Sequence, residues 1–146
     1  MIVGTGIDLV EVDRVRRSIE RYGQRFLDRL YTPQEIAYCQ RKRHTAAESF
    51  AARFAAKEAG AKALGTGIGF GVGWQEIEVR RRPSGQPLLV YHGRAAECAE
   101  FLGVRHIALS LTHTAAQAMA FVVLEDDPAE QASHQPLRAP DGNPGR

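Results

Sequence analysis

The sequence predicts an α+β protein in which helices pack on an antiparallel sheet. Apolar and polar residues alternate over residues 2–10 at one end of the chain and over 106–112 and 117–125 at the other, as in half-buried strands. A short link separates the last two segments, so we expect them to pair as antiparallel neighbours. Residues 75–82 and 88–92 flank a turn rich in proline and glycine and predict a hairpin. Helical segments separate these strands, an order typical of the α+β class.

Helix-start and helix-stop residues predict four helices. Asp13 is placed to cap the first helix, which ends at Gly23, and Thr32, Pro33 and Glu35 form the capping-box start of the second. The helices after Gly23 are expected at about 33–42, 46–64 and 94–102.

A run of alternating glycines over residues 65–73 follows the alanine-rich third helix. A phosphate-binding loop or a Rossmann turn instead follows a strand and opens a helix. The position and spacing of these glycines therefore exclude both nucleotide-binding folds.

Composition predicts one soluble, cytoplasmic domain. The chain has 146 residues, 44% of them apolar, with neither a membrane-spanning run nor a signal peptide in its sequence. Cys39 and Cys98 lie far apart and are interpreted as reduced structural thiols. We expect the domain to cover 1–125 and the acidic, proline-rich tail over 126–146 to be disordered.

An arginine-rich stretch follows the first strand, although the net charge of the chain is only +2. Its basic residues are Arg14, Arg16, Arg17, Arg21, Arg25 and Arg29. This charge suits an acidic partner, and a solvated helix face is the alternative interpretation. A small acidic protein fits at least as well as nucleic acid, because no nucleic-acid-binding motif or interleaved aromatic residues accompany the arginines.

Two acidic residues are candidates for a site. Asp8 interrupts a mostly apolar strand on the face that it shares with Gly4 and Gly6, so it needs a partner or faces a cleft. Glu58 lies one helical turn before Lys62, at the border of an apolar stripe. Each acid is explained either by an ordinary ion pair or by a magnesium and phosphate site. Sequence spacing alone does not show that the two acids meet.

Three stretches together resemble one family. They are residues 4–12 (GTGIDLVEV), 53–62 (RFAAKEAGAK) and 110–114 (SLTHT). In order and spacing they are similar to the holo-acyl-carrier-protein synthases, the short type of 4′-phosphopantetheinyl transferase, over residues 1–125. The resemblance implies the 4′-phosphopantetheinyl transferase fold and a magnesium-dependent transferase of fatty acid biosynthesis. Such an enzyme moves the 4′-phosphopantetheine of coenzyme A to a serine of apo acyl carrier protein.

The resemblance also implies roles for individual residues. Asp8 and Glu58 would bind Mg²⁺, and Lys62 would contact the coenzyme A phosphates, so these three are the expected catalytic residues. The residues expected to bind coenzyme A are Lys62, Arg53, Arg43 and His113 around the phosphates and nucleotide, and Gly85 and Pro87 beside the adenine. The carrier protein would dock on Arg14, Arg17, Arg21 and Arg25. Short members of the family are homotrimers with the active site between subunits.

The implied reaction needs a proton acceptor for the serine hydroxyl that attacks the β-phosphate. Glu58 and a cation-held water are the candidates, and we favour a water that relays the proton to Glu58. Two rival functions remain open from the sequence. One is a catalytically silent module that binds coenzyme A or an acidic protein, and the other is a nucleic-acid-binding domain, whose affinity would fall steeply with salt.

Overall fold

The computed structural model describes residues 1–127 of the chain. The strands are β1 (Ile2–Glu11), β2 (Ile77–Arg81), β3 (Pro87–Tyr91), β4 (Val104–His113) and β5 (Gln117–Asp126). The α-helices are α1 (Val12–Tyr22), α2 (Gln24–Leu30), α3 (Pro33–Gln40), α4 (Ala46–Leu64) and α5 (Gly93–Phe101), and 3₁₀ turns cover Arg43–Thr45 and Trp74–Glu76. Strand β5 continues through Asp126, one residue into the tail that was expected to be disordered. The rest of that prediction, from residue 128 onward, lies outside the described residues.

The strands form two antiparallel sheets, which confirms the predicted α+β class. The larger sheet has the order β1-β5-β4, and the smaller one is the β2-β3 hairpin. Strands from the two ends of the chain are therefore hydrogen-bonded neighbours, with Asp8 opposite Ala120 and Ala120 opposite Leu111. The N-terminal ammonium group of Met1 lies 2.7 Å from Asp126 Oδ1 at the edge of this pairing.

Helix α4 lies directly against β1 because two glycines make room for it. A Cβ at Gly6 would lie 1.9 Å from the carbonyl oxygen of Ala59, and one at Gly4 would lie 2.2 Å from that of Ala63. Backbone thus meets backbone along this contact, and the alanines of α4 fill the remaining space. Although α4 is long, neither it nor any other helix within residues 1–127 is long and apolar enough to cross a membrane.

A buried ion pair fastens α4 to α3 and to the start of β2. Lys57 and Glu35 are 0% and 1% exposed, and Lys57 Nζ donates to Glu35 Oε1 at 2.7 Å. The same ammonium group donates to the carbonyl oxygens of Trp74 at 3.1 Å and Ile77 at 2.6 Å. Burial lowers the pKa of Lys57, and the Glu35 carboxylate opposes that shift. All three ammonium protons have acceptors, which is the condition for keeping this charge inside the protein.

The N-terminal helices differ from the prediction in two ways. Asp13 does not cap α1: Glu11 is the N-cap, without a side-chain bond, and Asp13 lies in the first turn. The N–H of Val12 instead donates to the carbonyl of Ala116 at 2.9 Å, so the link between β4 and β5 satisfies one of the free N–H groups at this helix end. Helix α2 was not predicted from the sequence. Gly23, at φ 57°, is both the last capping residue of α1 and the first of α2, so the two helices follow each other without a loop. The capping box at Thr32 and Glu35 is present as predicted.

Both cysteines are free thiols, in agreement with their interpretation as structural residues. Cys39 is fully buried in the core, and burial raises the pKa of its thiol to about 12. A thiol with so high a pKa is a poor nucleophile at neutral pH.

Candidate active site

Asp8 lies on the helix-facing side of β1 and reaches a lysine of α4. Lys62 Nζ lies 3.1 Å from Asp8 Oδ1 and 3.0 Å from the carbonyl oxygen of Ile7. The Asp8 side chain is 17% exposed, and that of Lys62 is 51% exposed. The contact follows from the sequence pattern: Gly4 and Gly6 admit α4 to this face, so the next residue on the face, Asp8, meets the helix.

Glu58 lies one turn before Lys62 on α4, on the same side of the helix. Burial raises the pKa of Glu58, and the negative charge of Asp8 raises it further. Lys62 and Arg14 act in the opposite direction and lower the pKa. The structure therefore brings Asp8, Glu58 and Lys62 together, with the two carboxylates close enough to repel each other.

A pair of carboxylates is a suitable donor set for a hard divalent cation. Among residues 1–127 no group of three or more His, Cys, Asp or Glu side chains is placed to hold a metal ion. Mg²⁺ does not require such a group, since it commonly binds one or two carboxylates and completes its shell with water and substrate phosphate oxygens. The donor set and the mutual repulsion at Asp8 and Glu58 fit such an ion.

A cleft of about 590 Å³ opens beside Glu58, between α1, α2 and α4. Its apolar wall includes Phe54 and Trp74, whose rings are 5.0 Å apart. Arg14 and Arg25 line the same cleft. The cleft therefore offers apolar surface beside a carboxylate, with positive charge at its border.

The four arginines expected to dock a carrier lie along this side of the molecule. Arg14, Arg17 and Arg21 line a shallow depression on α1, and Arg14 and Arg25 line the cleft beside Glu58. Arg14 belongs to both surfaces and also lowers the pKa of Glu58. The arginine face is thus continuous with the carboxylate site.

Arg53 lies away from the carboxylate pair, in a cluster around Tyr38. It is 2% exposed, and its guanidinium carbon is 4.1 Å from the centre of the Tyr38 ring. Arg81 and Lys42 also lie over this ring, at 4.8 and 5.0 Å. Within the described chain, Arg53 Nε is the buried side-chain nitrogen that has no hydrogen-bond partner. We call Tyr38, Lys42, Arg53 and Arg81 the Tyr38 cluster.

The hairpin turn joins this cluster. Arg81 Nη1 donates to the carbonyl oxygen of Gly85 at 2.6 Å, and Pro87 pairs with Arg81 at the start of β3. Gly85 has φ 91°, a conformation that favours glycine. Arg43 is exposed and follows Lys42 directly in the chain. Sequence reasoning missed Tyr38, Lys42 and Arg81, although Tyr38 and Lys42 are four residues apart, the spacing of neighbours on a helix.

His113 lies apart from both groups. It ends β4, and its Nδ1 is 3.0 Å from Oε2 of Glu48 near the start of α4. Glu48 precedes Glu58 by ten residues, about 15 Å along the helix axis. Glu48 and Arg53 are about 140° apart around α4, so they face different sides of it. The chain therefore brings Asp8, Glu58 and Lys62 together, but it does not bring His113 to them or to Arg53.

Comparison with known proteins assigns the family. Residues 4–122 match the model of the 4′-phosphopantetheinyl transferase superfamily. The chain is 62% identical over 126 residues to the holo-[acyl-carrier-protein] synthase of Solibacter usitatus, covering 86% of this chain and 100% of that relative. It is 58% identical over the same length to the holo-[acyl-carrier-protein] synthase of Koribacter versatilis, again with 86% of this chain and 100% of the relative covered.

Solved structures give the same result for the fold. The holo-[acyl-carrier-protein] synthase of Neisseria meningitidis superposes with a TM-score of 0.77 at 36% identity, covering 86% of this chain and 100% of that one. The Helicobacter pylori synthase, solved in complex with coenzyme A, gives a TM-score of 0.73 at 32% identity over 83% of this chain and 99% of that one. The chain therefore belongs to the 4′-phosphopantetheinyl transferase superfamily.

Proposed function

We propose that this protein is a holo-acyl-carrier-protein synthase, which transfers the 4′-phosphopantetheine of coenzyme A to a serine of an apo acyl carrier protein. The observation that carries the proposal is the convergence of Asp8, Glu58 and Lys62 where β1 contacts α4. The similarity of the chain to two holo-[acyl-carrier-protein] synthases supports it. A coenzyme A complex of a relative with the same fold supports the choice of donor.

Asp8 and Glu58 are the proposed ligands of Mg²⁺. When bound, the ion supplies positive charge to the diphosphate oxygens of coenzyme A. The exposed ammonium group of Lys62, one turn from Glu58, supplies a second positive charge to the same oxygens. Both carboxylates are on regular elements whose backbones touch, so their relative position is fixed before substrate arrives.

The transfer forms a bond between the serine oxygen and the β-phosphorus of coenzyme A and breaks the bond from that phosphorus to the bridging oxygen. Adenosine 3′,5′-bisphosphate leaves with the bond electrons, and the serine proton passes through a water to Glu58. Burial and the Asp8 charge raise the pKa of Glu58 in the absence of a cation. A cation held by Glu58 would lower that pKa, so we assign the first acceptance of the proton to the relay water.

The nucleotide end of coenzyme A is proposed to bind at the Tyr38 cluster. Its three cationic side chains provide charge for phosphate, and Arg53 Nε, which is buried without a partner, is a donor available to a ligand. Arg43 adds an exposed charge beside Lys42. The turn at Gly85 and Pro87 offers backbone to the adenine.

A trimer with sites between subunits is part of the proposal. Ile7, Leu9 and Phe121 are 54%, 54% and 43% exposed, and they share the face of the large sheet opposite α4. Apolar side chains so exposed on one sheet face are typical of a subunit interface. A neighbouring subunit would also supply a second His113 to the nucleotide site, which one subunit alone does not complete.

The trimer is tested by light scattering in solution. We expect Phe121→Lys to dissociate the assembly, because it places a charge in the apolar face. Phe101→Lys is the matched control, since Phe101 is 91% exposed on α5, away from that face. A wild-type protein that is monomeric at all concentrations contradicts the trimer.

The acceptor is proposed to be an acidic carrier protein that docks on Arg14, Arg17, Arg21 and Arg25. Arg14 and Arg25 line the cleft at Glu58, and Arg17 and Arg21 line the adjoining depression on α1, so a carrier held by these arginines would present its serine beside the carboxylates. Because coenzyme A and carrier proteins meet in the cytoplasm, we expect the enzyme there.

The proposed activity is tested by mass spectrometry of an apo carrier incubated with coenzyme A and Mg²⁺. The wild-type enzyme should add one phosphopantetheine to the carrier, and Asp8→Asn and Glu58→Gln should lower the rate by at least about 100-fold. Glu97→Gln, on an exposed pair with Arg94, is the matched control and should keep the wild-type rate. A carrier of unchanged mass, with coenzyme A bound to the protein, would instead indicate a silent binding module.

A further inference from the structure

Lys62 contacts one of the two carboxylate oxygens of Asp8 that a divalent ion at this site would use. Its ammonium group is 3.1 Å from Asp8 Oδ1 and is also held by the carbonyl oxygen of Ile7 at 3.0 Å. The Asp8 side chain is 17% exposed and that of Lys62 is 51% exposed, so the carboxylate is largely shielded from water while the ammonium group stays open to it.

The contact has two consequences for ligands. A cation at Asp8 must displace the ammonium group, because both seek the same carboxylate and like charges at such short range repel. In turn, two of the three ammonium protons of Lys62 are engaged by Asp8 and Ile7 while it stays there, so only one is left for a phosphate. Its flexible four-carbon stem and half-exposed position allow it to leave without disturbing the core.

We propose that Lys62 is an exchangeable counter-ion of Asp8, whose release couples binding of the divalent cation to binding of the substrate phosphates. The inference rests on the proposed function only in taking Asp8 as a cation ligand. The cation and the phosphates each need the Lys62–Asp8 ion pair to break. The ligand that binds second finds the pair already broken and does not meet that free-energy cost, so the coupling is reciprocal. The enzyme therefore binds cation weakly when no phosphate is present, and Lys62 becomes available to the phosphates as the cation takes its place.

The geometry of Glu58 is consistent with this exchange. Glu58 is one turn from Lys62 on the same side of α4, so the ammonium group that contacts Asp8 is also near the Glu58 carboxylate. Lys62 thus balances two carboxylates in the absence of metal. Once a divalent ion supplies that charge, the ammonium group is surplus at Asp8 and can turn toward an anion.

The first test measures Mn²⁺ binding without coenzyme A, from the electron paramagnetic resonance signal of free Mn²⁺. We expect Lys62→Gln to bind Mn²⁺ about three- to tenfold more tightly than wild type, because the competing ammonium group is gone. Lys42→Gln is the matched control: it removes the same kind of side chain from the Tyr38 cluster and should stay within about twofold of wild type.

The second test measures coenzyme A binding in EDTA by calorimetry. Asp8→Asn should tighten binding several-fold, since Lys62 is then free for phosphate, and the gain should be much smaller in a Lys62→Gln background. Thermal unfolding of each variant in EDTA verifies that it is folded.

The outcomes separate this inference from the proposed function. Equal or weaker Mn²⁺ binding by Lys62→Gln than by wild type overturns the exchange while leaving the cation site intact. An equal gain from Asp8→Asn in both backgrounds also overturns it. Mn²⁺ binding that Asp8→Asn does not weaken removes the cation site itself, and the exchange with it.

Discussion

Replacing Gly6 by alanine tests how the site is built. Gly6 brings β1 against α4, and Asp8 follows it on the same face of the strand. A Cβ at Gly6 would lie 1.9 Å from the carbonyl oxygen of Ala59, and 2.8 and 2.9 Å from backbone atoms of Ala59 and Ala63. Every close atom belongs to the backbone of a helix, so no side chain can rotate away to relieve the clash.

The displacement of α4 that Gly6→Ala requires follows from these distances. Real Cβ atoms essentially never approach a heavy atom closer than 3.0 Å, so the oxygen of Ala59 must retreat by about 1.1 Å from its present 1.9 Å. Helix α4 carries Glu58 and Lys62, and a shift of that size separates them from Asp8. Overpacking of this kind costs about 1–3 kcal/mol of stability. A misplacement of about 1 Å at a reacting centre can lower the rate about 100-fold.

The assay measures kcat/KM for phosphopantetheine transfer together with the thermal unfolding midpoint. We expect Gly6→Ala to lose about 100-fold in kcat/KM and to unfold several degrees earlier. Gly73→Ala is the matched control, since Gly73 has φ −96° and the nearest atom to its added Cβ is a flexible side-chain oxygen of Glu76 at 3.4 Å. A Gly6→Ala enzyme with wild-type kcat/KM and unfolding midpoint would refute the argument that this glycine sets the site.

Three further perturbations test other parts of the structure. In metal-free buffer, Glu58→Gln should raise the unfolding midpoint at neutral pH, because the folded-state pKa of Glu58 lies above 4.5 and its ionised form costs stability above that pKa. Differential scanning calorimetry should find that the gain shrinks as pH falls from the folded-state pKa towards 4.5 and is absent below 4.5; a gain that does not depend on pH would contradict this. Lys57→Met should lower the free energy of unfolding in urea by about 3–5 kcal/mol, because it leaves Glu35 charged and buried. The double variant Lys57→Met, Glu35→Gln should recover part of that loss, and a double variant that is as unstable as Lys57→Met would contradict this. Arg21→Glu should raise the KM for the carrier about three- to tenfold at low salt and weaken its salt dependence, whereas a salt-independent KM in the wild-type enzyme would argue against electrostatic docking.

Sequence patterns predicted most of the secondary structure because each signal was local. Alternation of apolar and polar residues predicted all three strands of the larger sheet, and the Thr32 capping box predicted the start of α3. The glycines before Asp8 predicted a cleared strand face, and the structure shows that α4 occupies it. The Glu58–Lys62 spacing predicted their shared side of the helix, but only the fold brought Asp8 to them.

The features that were missed depend on contacts between distant residues. The buried pair of Lys57 and Glu35 spans 22 residues, and nothing local distinguishes this lysine from a solvated one. The burial of Arg53 against the Tyr38 ring was likewise not indicated by any local pattern, and its expected role at a phosphate stays a prediction. At the N-terminal end of α1, the N–H of Val12 donates to the carbonyl of Ala116, more than 100 residues away, and no local pattern indicates that bond.

The central claim is that Asp8 and Glu58 together hold a divalent ion at the phosphates of coenzyme A. The most direct measurement is anomalous diffraction from crystals grown with coenzyme A and Mn²⁺. We expect one strong manganese peak between the two carboxylates, about 2.1 Å from an oxygen of each and in contact with the diphosphate. Bound coenzyme A with no manganese between these side chains, or with the ion held elsewhere, would contradict it.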